Sequence, residues 1–394
     1  MMATEGLKSF ASDFYASLIS DGQGCSKNIV FSPASIYSAF SILLAGTAGE
    51  TEKEIEKALH VTHEKDQTKL HKSIAKDLAN LTGSTPETKV CMANKIFLDK
   101  GFPIKSAYSS LVSGCYAATP EGLTFSDSET SRAHINQWVK EKTEQKIEEL
   151  FPANSINNQT KMVIANAVYF KGLWTLPFEK SNTKDGKFTL PDLRKKDVKL
   201  MYKNIKKANF CDFEDMEAKA VCLSFKESSL SMFILLPNQE NGLPQLLKKL
   251  FTVGPTPDGC GDKRYLDMFL SSMYYYTQEV NLYLPRFKIG EDDPSINLVD
   301  YMRKLGVSKI FNHSVADFSG LTDVRNLCVS SVLHRAVLEV DEEGAQAAAA
   351  TGMGIMLMCL PPPPVDFKVT HPFVIAIADN EGTPLFLGHV SEPK

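Results

Sequence analysis

The sequence predicts an α+β fold in which helices and strands are mixed without a repeating order. Helical spacing of apolar residues dominates residues 5–83, whereas strand-like runs become frequent after residue 88. The two kinds of element do not alternate regularly, as a parallel βαβ sheet would require. The 394-residue chain is 43% hydrophobic, which is enough to build a large core for such a fold.

The first 83 residues are predicted to form several helices. Apolar side chains recur every three or four positions at Leu7, Phe10, Ala11, Phe14 and Leu18. This spacing predicts an amphipathic helix capped by Thr4. The pair Ser32-Pro33 predicts the start of a second helix that covers residues 36–44, and a short third helix is expected over 50–59.

A stripe of lysines follows at helical spacing. Its members are Lys65, Lys69, Lys72 and Lys76. We interpret the stripe as a solvated helix face, because Glu64, Asp66 and Asp77 lie among the lysines. A binding site for polyanions is the alternative interpretation.

The remainder of the chain is predicted to be richer in strands. Strands are expected over 90–98, 161–170, 220–225, 230–236, 279–287, 367–369, 373–378 and 385–390. The third and fourth of these should form a hairpin. Helices are expected over 131–150 and 299–305, and loops over 252–263 and 345–364.

Length, charge and cysteine content limit the possible functions. At roughly 150 residues per domain the chain could hold two or three domains, although no stretch has the composition of a linker. The net charge of -4 argues against nucleic-acid binding, and no apolar run is long enough for a transmembrane helix. Charged residues near the N-terminus argue against a secretory signal, and eight scattered cysteines fit free thiols in a reducing compartment. We therefore expect a cytoplasmic protein.

Motifs of the common enzyme classes do not occur in the sequence. G-x-S-x-G, H-E-x-x-H, the Walker loop and the EF-hand loop are all missing, and Gly352-x-Gly354 lacks a third glycine. The acidic residues of 339–343 could form a metal site or an acid/base pair, but a solvated strand end explains them better. We predict that the chain is not an enzyme, has no catalytic residues, and uses neither a metal nor a cofactor.

Residues 342–364 form the most unusual part of the sequence, EEGAQAAAATGMGIMLMCLPPPP. Neither a charge nor a proline occurs from Gly344 to Leu360. In an extended conformation the odd positions of 345–357 would share one face and could be buried there. The segment is compatible both with a loop and with a central strand, which suits a switch driven by strand insertion. A plain flexible loop is the alternative.

The ordered motifs of the chain resemble the serpin family over essentially its whole length. They are NIVFSP at 28–33, NAVYFKGLW at 166–174, LPRF at 284–287, ADFSG at 316–320, VSSVLHRA at 329–336, EEG at 342–344 with AAAAT at 347–351, HPF at 371–373 and FLG at 386–388. In its expected lack of a secretory signal the chain resembles the intracellular, ovalbumin-like branch of the family. Members of that branch can also leave the cell by an unconventional route.

This resemblance implies one domain over residues 1–394, with a large five-stranded sheet, two smaller sheets, about nine helices and an exposed reactive-centre loop at about 342–364. It also implies a monomeric suicide-substrate inhibitor of serine proteases. The protease would attack the loop and form an acyl-enzyme, and the cleaved loop would then insert into the large sheet and distort the enzyme.

The family's usual spacing places the reactive bond at Met358–Cys359. Met358, with Met356 and Leu357 beside it, would suit an elastase-like or chymotrypsin-like pocket. An exposed Cys359 could link two molecules by a disulfide. Alternatives are an inhibitor of cysteine proteases and a non-inhibitory carrier or chaperone, the latter suggested by Ala345, where inhibitory members usually have Thr or Ser.

Other residues are assigned by the same resemblance. The hinge would consist of Glu342, Glu343, Gly344, Ala345, Ala347, Ala348, Ala349, Ala350 and Thr351. A polar cluster that controls opening of the large sheet would consist of Ser32, Ser35, Asn166 and His334, with Trp174 at the end where the loop enters. Satisfied buried polar groups and a plain core tryptophan are the alternatives. The segment 252–276, with Cys260, is less regular than the family pattern and is expected to be a surface loop.

Overall fold

The computed structural model describes residues 2–20, 24–61, 64, 66–343 and 363–394. The helices of these residues are α1 (Met2–Ile19), α2 (Pro33–Leu44), α3 (Gly49–Ala58), α4 (Gln67–Thr82), α5 (Ser106–Tyr116), α6 (Ser128–Lys142), α7 (Leu243–Leu250), α8 (Tyr265–Leu270) and α9 (Val299–Lys304). The strands are β1 (Ile29–Phe31), β2 (Thr88–Asp99), β3 (Glu121–Leu123), β4 (Met162–Gly172), β5 (Lys184–Thr189), β6 (Lys195–Phe213), β7 (Ala218–Ser224), β8 (Ser231–Pro237), β9 (Val253–Pro255), β10 (Asp262–Arg264), β11 (Tyr276–Pro285), β12 (Phe287–Ile289), β13 (Ile296–Asn297), β14 (Ser331–Val340), β15 (Val365–Lys368), β16 (Phe373–Ala378) and β17 (Pro384–Val390).

These strands form three sheets. One sheet has six strands, five in the order β3-β2-β4-β14-β12 and the short β13 paired to β14, and we call it the five-stranded sheet after its five main strands. A nine-stranded sheet has the order β1-β17-β16-β8-β7-β6-β11-β15, with β5 paired to β6, and β9 pairs with β10 in a hairpin. The predicted α+β class and the three sheets are confirmed, but the sheet with five main strands is not the largest, because nine of the other strands join in one sheet.

The centre of the five-stranded sheet is a parallel pair of strands. β4 and β14 are in register over eight residue pairs, from Ser331 with Val163 to Leu338 with Phe170. On its other side β4 pairs antiparallel with β2. Side chains of β4 alternate between two apolar clusters, one on each face, so the strand is buried on both sides. We call the β4–β14 pairing the seam.

Several predicted elements differ from the structure at their ends. Thr4 does not cap α1 but lies inside it, where its hydroxyl donates to Asp77 at 3.0 Å. The helix predicted over 131–150 ends at Lys142, because Glu144 and Gln145 adopt positive φ angles of 50° and 65°. The predicted loop at 252–263 contains the β9–β10 hairpin.

The lysines of α4 and the length of the helices bear on polyanion binding and on membrane insertion. Lys69, Lys72 and Lys76 are exposed on α4, opposite its buried side chains, as predicted for a solvated face, and Lys65 lies outside the described residues. Within the described ranges, the helices are all too short or too polar to cross a membrane.

Candidate functional site

A group of buried polar side chains lies beneath the seam, where helix α2 meets the five-stranded sheet. It contains four of the predicted residues, Ser32, Ser35, Asn166 and His334, all fully buried. Ser32 is the N-cap of α2, and its hydroxyl accepts a hydrogen bond from the amide of Ser35 at 3.2 Å. We call these four residues, together with Asn94, the seam cluster.

The direct link across the seam joins His334 on β14 to Asn166 on β4, two residues that are paired in register. The backbone N–H of Ser32 donates to Nε2 of His334 at 3.1 Å, so this nitrogen carries no proton. Nδ1 therefore carries the proton and donates a hydrogen bond to Oδ1 of Asn166. The neutral ring holds the two central strands and the start of α2 together.

Asn166 continues the network to the neighbouring helix and strand. Its Nδ2 donates to the carbonyl and the hydroxyl of Ser35, both at 2.8 Å, and to Oδ1 of Asn94 on β2. Asn94 is a member that sequence reasoning missed. It lies directly opposite Asn166 in the antiparallel register, and its own Nδ2 donates to the carbonyl of Ser35 at 3.3 Å.

The seam cluster makes stability depend on pH through His334. Burial lowers the pKa of this histidine to about 3, whereas an unfolded histidine titrates near 6.5. Between these values the unfolded chain binds one more proton than the folded chain. The contribution of His334 is thus fully present above pH 6.5 and is lost at about 1.4 kcal/mol per pH unit as the pH falls.

We therefore expect the melting temperature to fall less between pH 7 and pH 5 in His334→Gln than in the unsubstituted protein. Glutamine supplies an acceptor for Ser32 and a donor for Asn166 but does not titrate. Thermal melting at both pH values measures the difference, with His313→Gln as the control because His313 is exposed. An identical pH dependence in His334→Gln and the unsubstituted protein would contradict the assignment.

A second contact region lies at the far end of β14, where residues 174–183 cover residues 341–343. We call residues 174–183 the clamp segment. Trp174 is buried against Phe225, with the two rings stacked 4.8 Å apart. Its indole N–H donates to the carbonyl of Asp341 at 2.8 Å, and its backbone N–H donates to the carbonyl of Glu343 at 3.2 Å. Trp174 therefore contacts the backbone of both Asp341 and Glu343 at the end of β14.

Glu342 corrects the interpretation of the acidic run as a solvated strand end. Its side chain is only 5% exposed, and it accepts a hydrogen bond from the hydroxyl of Thr183 at 2.8 Å. The guanidinium of Arg286 lies 3.9 Å from the same carboxylate. A carboxylate needs such partners to stay buried, so Glu342 holds the end of β14 against the clamp segment.

The neighbouring acidic residues are paired rather than free. Nζ of Lys171 lies 2.9 Å from Glu343 and 3.4 Å from Asp341. Burial alone would lower the pKa of Lys171, but the hydrogen bond to Glu343 and the charge of Asp341 raise it above its usual range. The bond to Lys171 in turn lowers the pKa of the Glu343 carboxyl. Lys171 and Glu343 therefore both remain charged at neutral pH.

Removal of the Thr183 hydroxyl is expected to weaken the clamp. In Thr183→Val the buried Glu342 carboxylate would keep Arg286 as its side-chain partner among the described residues, which should lower the free energy of unfolding by about 1–3 kcal/mol. Urea denaturation measures this change against Thr175→Val, a matched substitution at an exposed position of the same segment. Equal stability of the two variants would show that the Thr183–Glu342 bond has no net effect.

The remaining predicted residues lie outside the described part of the chain. These are Gly344, Ala345, Ala347, Ala348, Ala349, Ala350, Thr351, Met356, Leu357, Met358 and Cys359. The structure therefore describes the chain on both sides of residues 344–362, with Glu343 at the clamp segment and β15 at the edge of the nine-stranded sheet.

Known proteins with this sequence pattern and fold are serpins. A family model described as Serpin (serine protease inhibitor) matches residues 5–393. Serpin B4 of Homo sapiens is 36% identical over 93% of this chain and 94% of its own length. The leukocyte elastase inhibitor of Equus caballus is 35% identical over 98% of this chain and 97% of its own length.

The solved structure of uncleaved ovalbumin superposes with a TM-score of 0.85 over 100% of both chains, at 24% identity, which shows the fold alone. The predicted resemblance to the ovalbumin-like branch is confirmed by the relatives above. The family acts on proteases as inhibitors and not as enzymes. With a match from residue 5 to residue 393 and with relatives of this similarity, the chain belongs to the serpin family.

Proposed function

We propose that this serpin is a suicide-substrate inhibitor of serine proteases with apolar specificity pockets. The observation that carries the proposal is the seam, because β14 is parallel to β4 and continues directly into the segment 342–364. A strand that folds back after β14 runs antiparallel to both of its new neighbours. Insertion would thus replace one parallel ladder by two antiparallel ladders, which are more stable per residue.

The composition of the segment supports this proposal. Its uncharged residues between Gly344 and Leu360 could enter a sheet that is buried on both faces at β4. A horse relative named leukocyte elastase inhibitor, similar over nearly the whole chain, also favours a protease with an apolar pocket as the target.

The covalent step would occur at the bond between Met358 and Cys359. The serine oxygen of the protease attacks the carbonyl carbon of Met358, and the bond to the nitrogen of Cys359 breaks. That nitrogen leaves with a proton delivered by the protease, and an ester joins the two proteins. Insertion of the loop would then occur before water hydrolyses this ester.

Incubation with pancreatic elastase, chymotrypsin and trypsin tests the proposal. We expect SDS-stable complexes with elastase or chymotrypsin but not with trypsin, whose acidic pocket disfavours methionine. Mass spectrometry should show a complex that lacks the peptide beginning at Cys359. The matched variant Met358→Arg should form the complex with trypsin and no longer with elastase or chymotrypsin.

The alternative functions give different results in the same experiment. Cleavage without a stable complex, and without a rise in melting temperature after the loop is cut, would refute inhibition and favour a carrier. A complex formed only with a cysteine protease such as papain would refute the serine-protease assignment. A different terminal peptide would refute the position of the reactive bond.

A further inference from the structure

A small apolar cavity lies beneath the clamp segment, apart from the seam cluster. It has a volume of about 110 Å³, and Trp174, Phe178, Ile205 and Leu223 form the apolar part of its lining. All four of these side chains are buried, whereas Leu176 at the rim is 51% exposed. An apolar cavity of about 150 Å³ accommodates a benzene ring, so this one has room for a short aliphatic chain.

One cation lies at the cavity, and the shape of strand β6 puts it there. Gln278 of β11 pairs with Ala208 and Val280 pairs with Ile205, so two residues of β6, Lys206 and Lys207, oppose the single Glu279. Such a bulge changes the direction of a side chain relative to a regular strand. In this chain the bulge directs the side chains of the adjacent Lys206 and Lys207 toward different surroundings.

The two lysines have different surroundings. Nζ of Lys206 forms an ion pair with Glu279 at 2.6 Å, and Nδ2 of Asn204 donates to the same carboxylate at 3.0 Å. Lys207 instead lines the cavity, and its side chain has no hydrogen bond or ion pair to any of the residues that the structure describes. An unpaired cation thus lies beside an apolar cavity, while the nearest carboxylate on the facing strand is already engaged.

We propose that this cavity binds a small amphiphilic carboxylate. Its aliphatic chain would fill the space between Trp174, Phe178 and Ile205, and its carboxylate would pair with the ammonium of Lys207. Each additional buried methylene stabilises such a complex by about 0.8 kcal/mol until the cavity is full. The site does not depend on the proposed protease inhibition, because neither the seam nor residues 344–362 take part in it.

Fluorine NMR of the full chain labelled with 5-fluorotryptophan tests the site. The protein has two tryptophans, Trp138 and Trp174, so two signals are expected, which Trp138→Phe assigns. Titration with pentanoate at constant ionic strength should shift the Trp174 signal saturably and leave the Trp138 signal in place. Acetate, which has the charge without the chain, should give no saturable shift.

The adjacent lysines provide matched variants. Lys207→Ala should bind pentanoate about threefold more weakly, as expected for one exposed ion pair, whereas Lys206→Ala should bind it as the unsubstituted protein does. Neutral pentan-1-ol should bind equally to all three. The proposal is overturned if Trp174 does not respond to pentanoate, if pentanol and pentanoate bind alike in the unsubstituted protein, or if both lysine variants lose affinity equally.

Discussion

Under the proposed mechanism, the substitution Ala347→Arg is expected to convert this serpin from an inhibitor into an ordinary substrate of the protease. At the end of the seam where the loop would enter, one face of the sheet carries Phe170 and Val340, both buried. The opposite face carries Lys171 and Glu339, which are half-buried and charged. Only the first face excludes a charged side chain.

In an inserted strand, the alternation of side chains would place position 347 on the apolar face. Gln346 is the one polar side chain within 345–350, and it suits the charged face, so Ala347 would lie on the opposite side. A guanidinium placed there without a partner costs several kcal/mol. A barrier raised by only about 3 kcal/mol slows insertion more than 100-fold, and hydrolysis of the acyl-enzyme would then occur first.

The matched control is Gln346→Arg, which adds the same charge one position earlier. It would lie near Glu339 and Asp341 and should leave most of the inhibition intact. Gel electrophoresis in SDS measures the fraction of covalent complex and of cleaved chain for both variants. Equal loss in both, or no loss in Ala347→Arg, would refute the alternation of buried and exposed positions.

Local sequence patterns predict the elements whose periodicity is strong, and the failures have physical causes. The apolar spacing of α1 and the β-branched run of β4 are visible in the sequence. The 19-residue strand β6 was not predicted, because its many lysines hide the two-residue period. α6 is shorter than predicted because the left-handed conformations of Glu144 and Gln145 end it without a glycine.

In the candidate site, too, some residues could be predicted from the sequence and others could not. Resemblance to the family identified four members of the seam cluster, and the structure brings them together. Asn94 carries no local signal, because its partners Ser35 and Asn166 are 59 and 72 positions away. Burial of Glu342 likewise depends on Thr183, 159 positions away, which no reading of the acidic run alone could include.

Of the proposed substitutions, Asn166→Ala is expected to lower the free energy of unfolding the most. Asn166 accepts the proton of His334 Nδ1 and donates to Ser35 and Asn94. Its removal would leave at least the imidazole N–H of the fully buried His334 and the oxygen of the partly buried Asn94 with fewer partners. At about 1–3 kcal/mol for each unsatisfied group, we expect the free energy of unfolding to fall by about 3–5 kcal/mol.

The strands that lose protection from hydrogen exchange distinguish this effect from a general destabilisation. Because Asn166 links β4 to β14, amide hydrogen exchange should accelerate most in these two strands and less in the nine-stranded sheet. Asn209→Ala is the matched control, since Asn209 is exposed on strand β6 and should change stability by less than about 0.5 kcal/mol. Uniform acceleration across both sheets, or equal stability of the two variants, would mean that the network under the seam does not hold the central strands together. Selective exchange at the seam would instead show that the side chains of the seam cluster add to the backbone ladder in holding the two strands together.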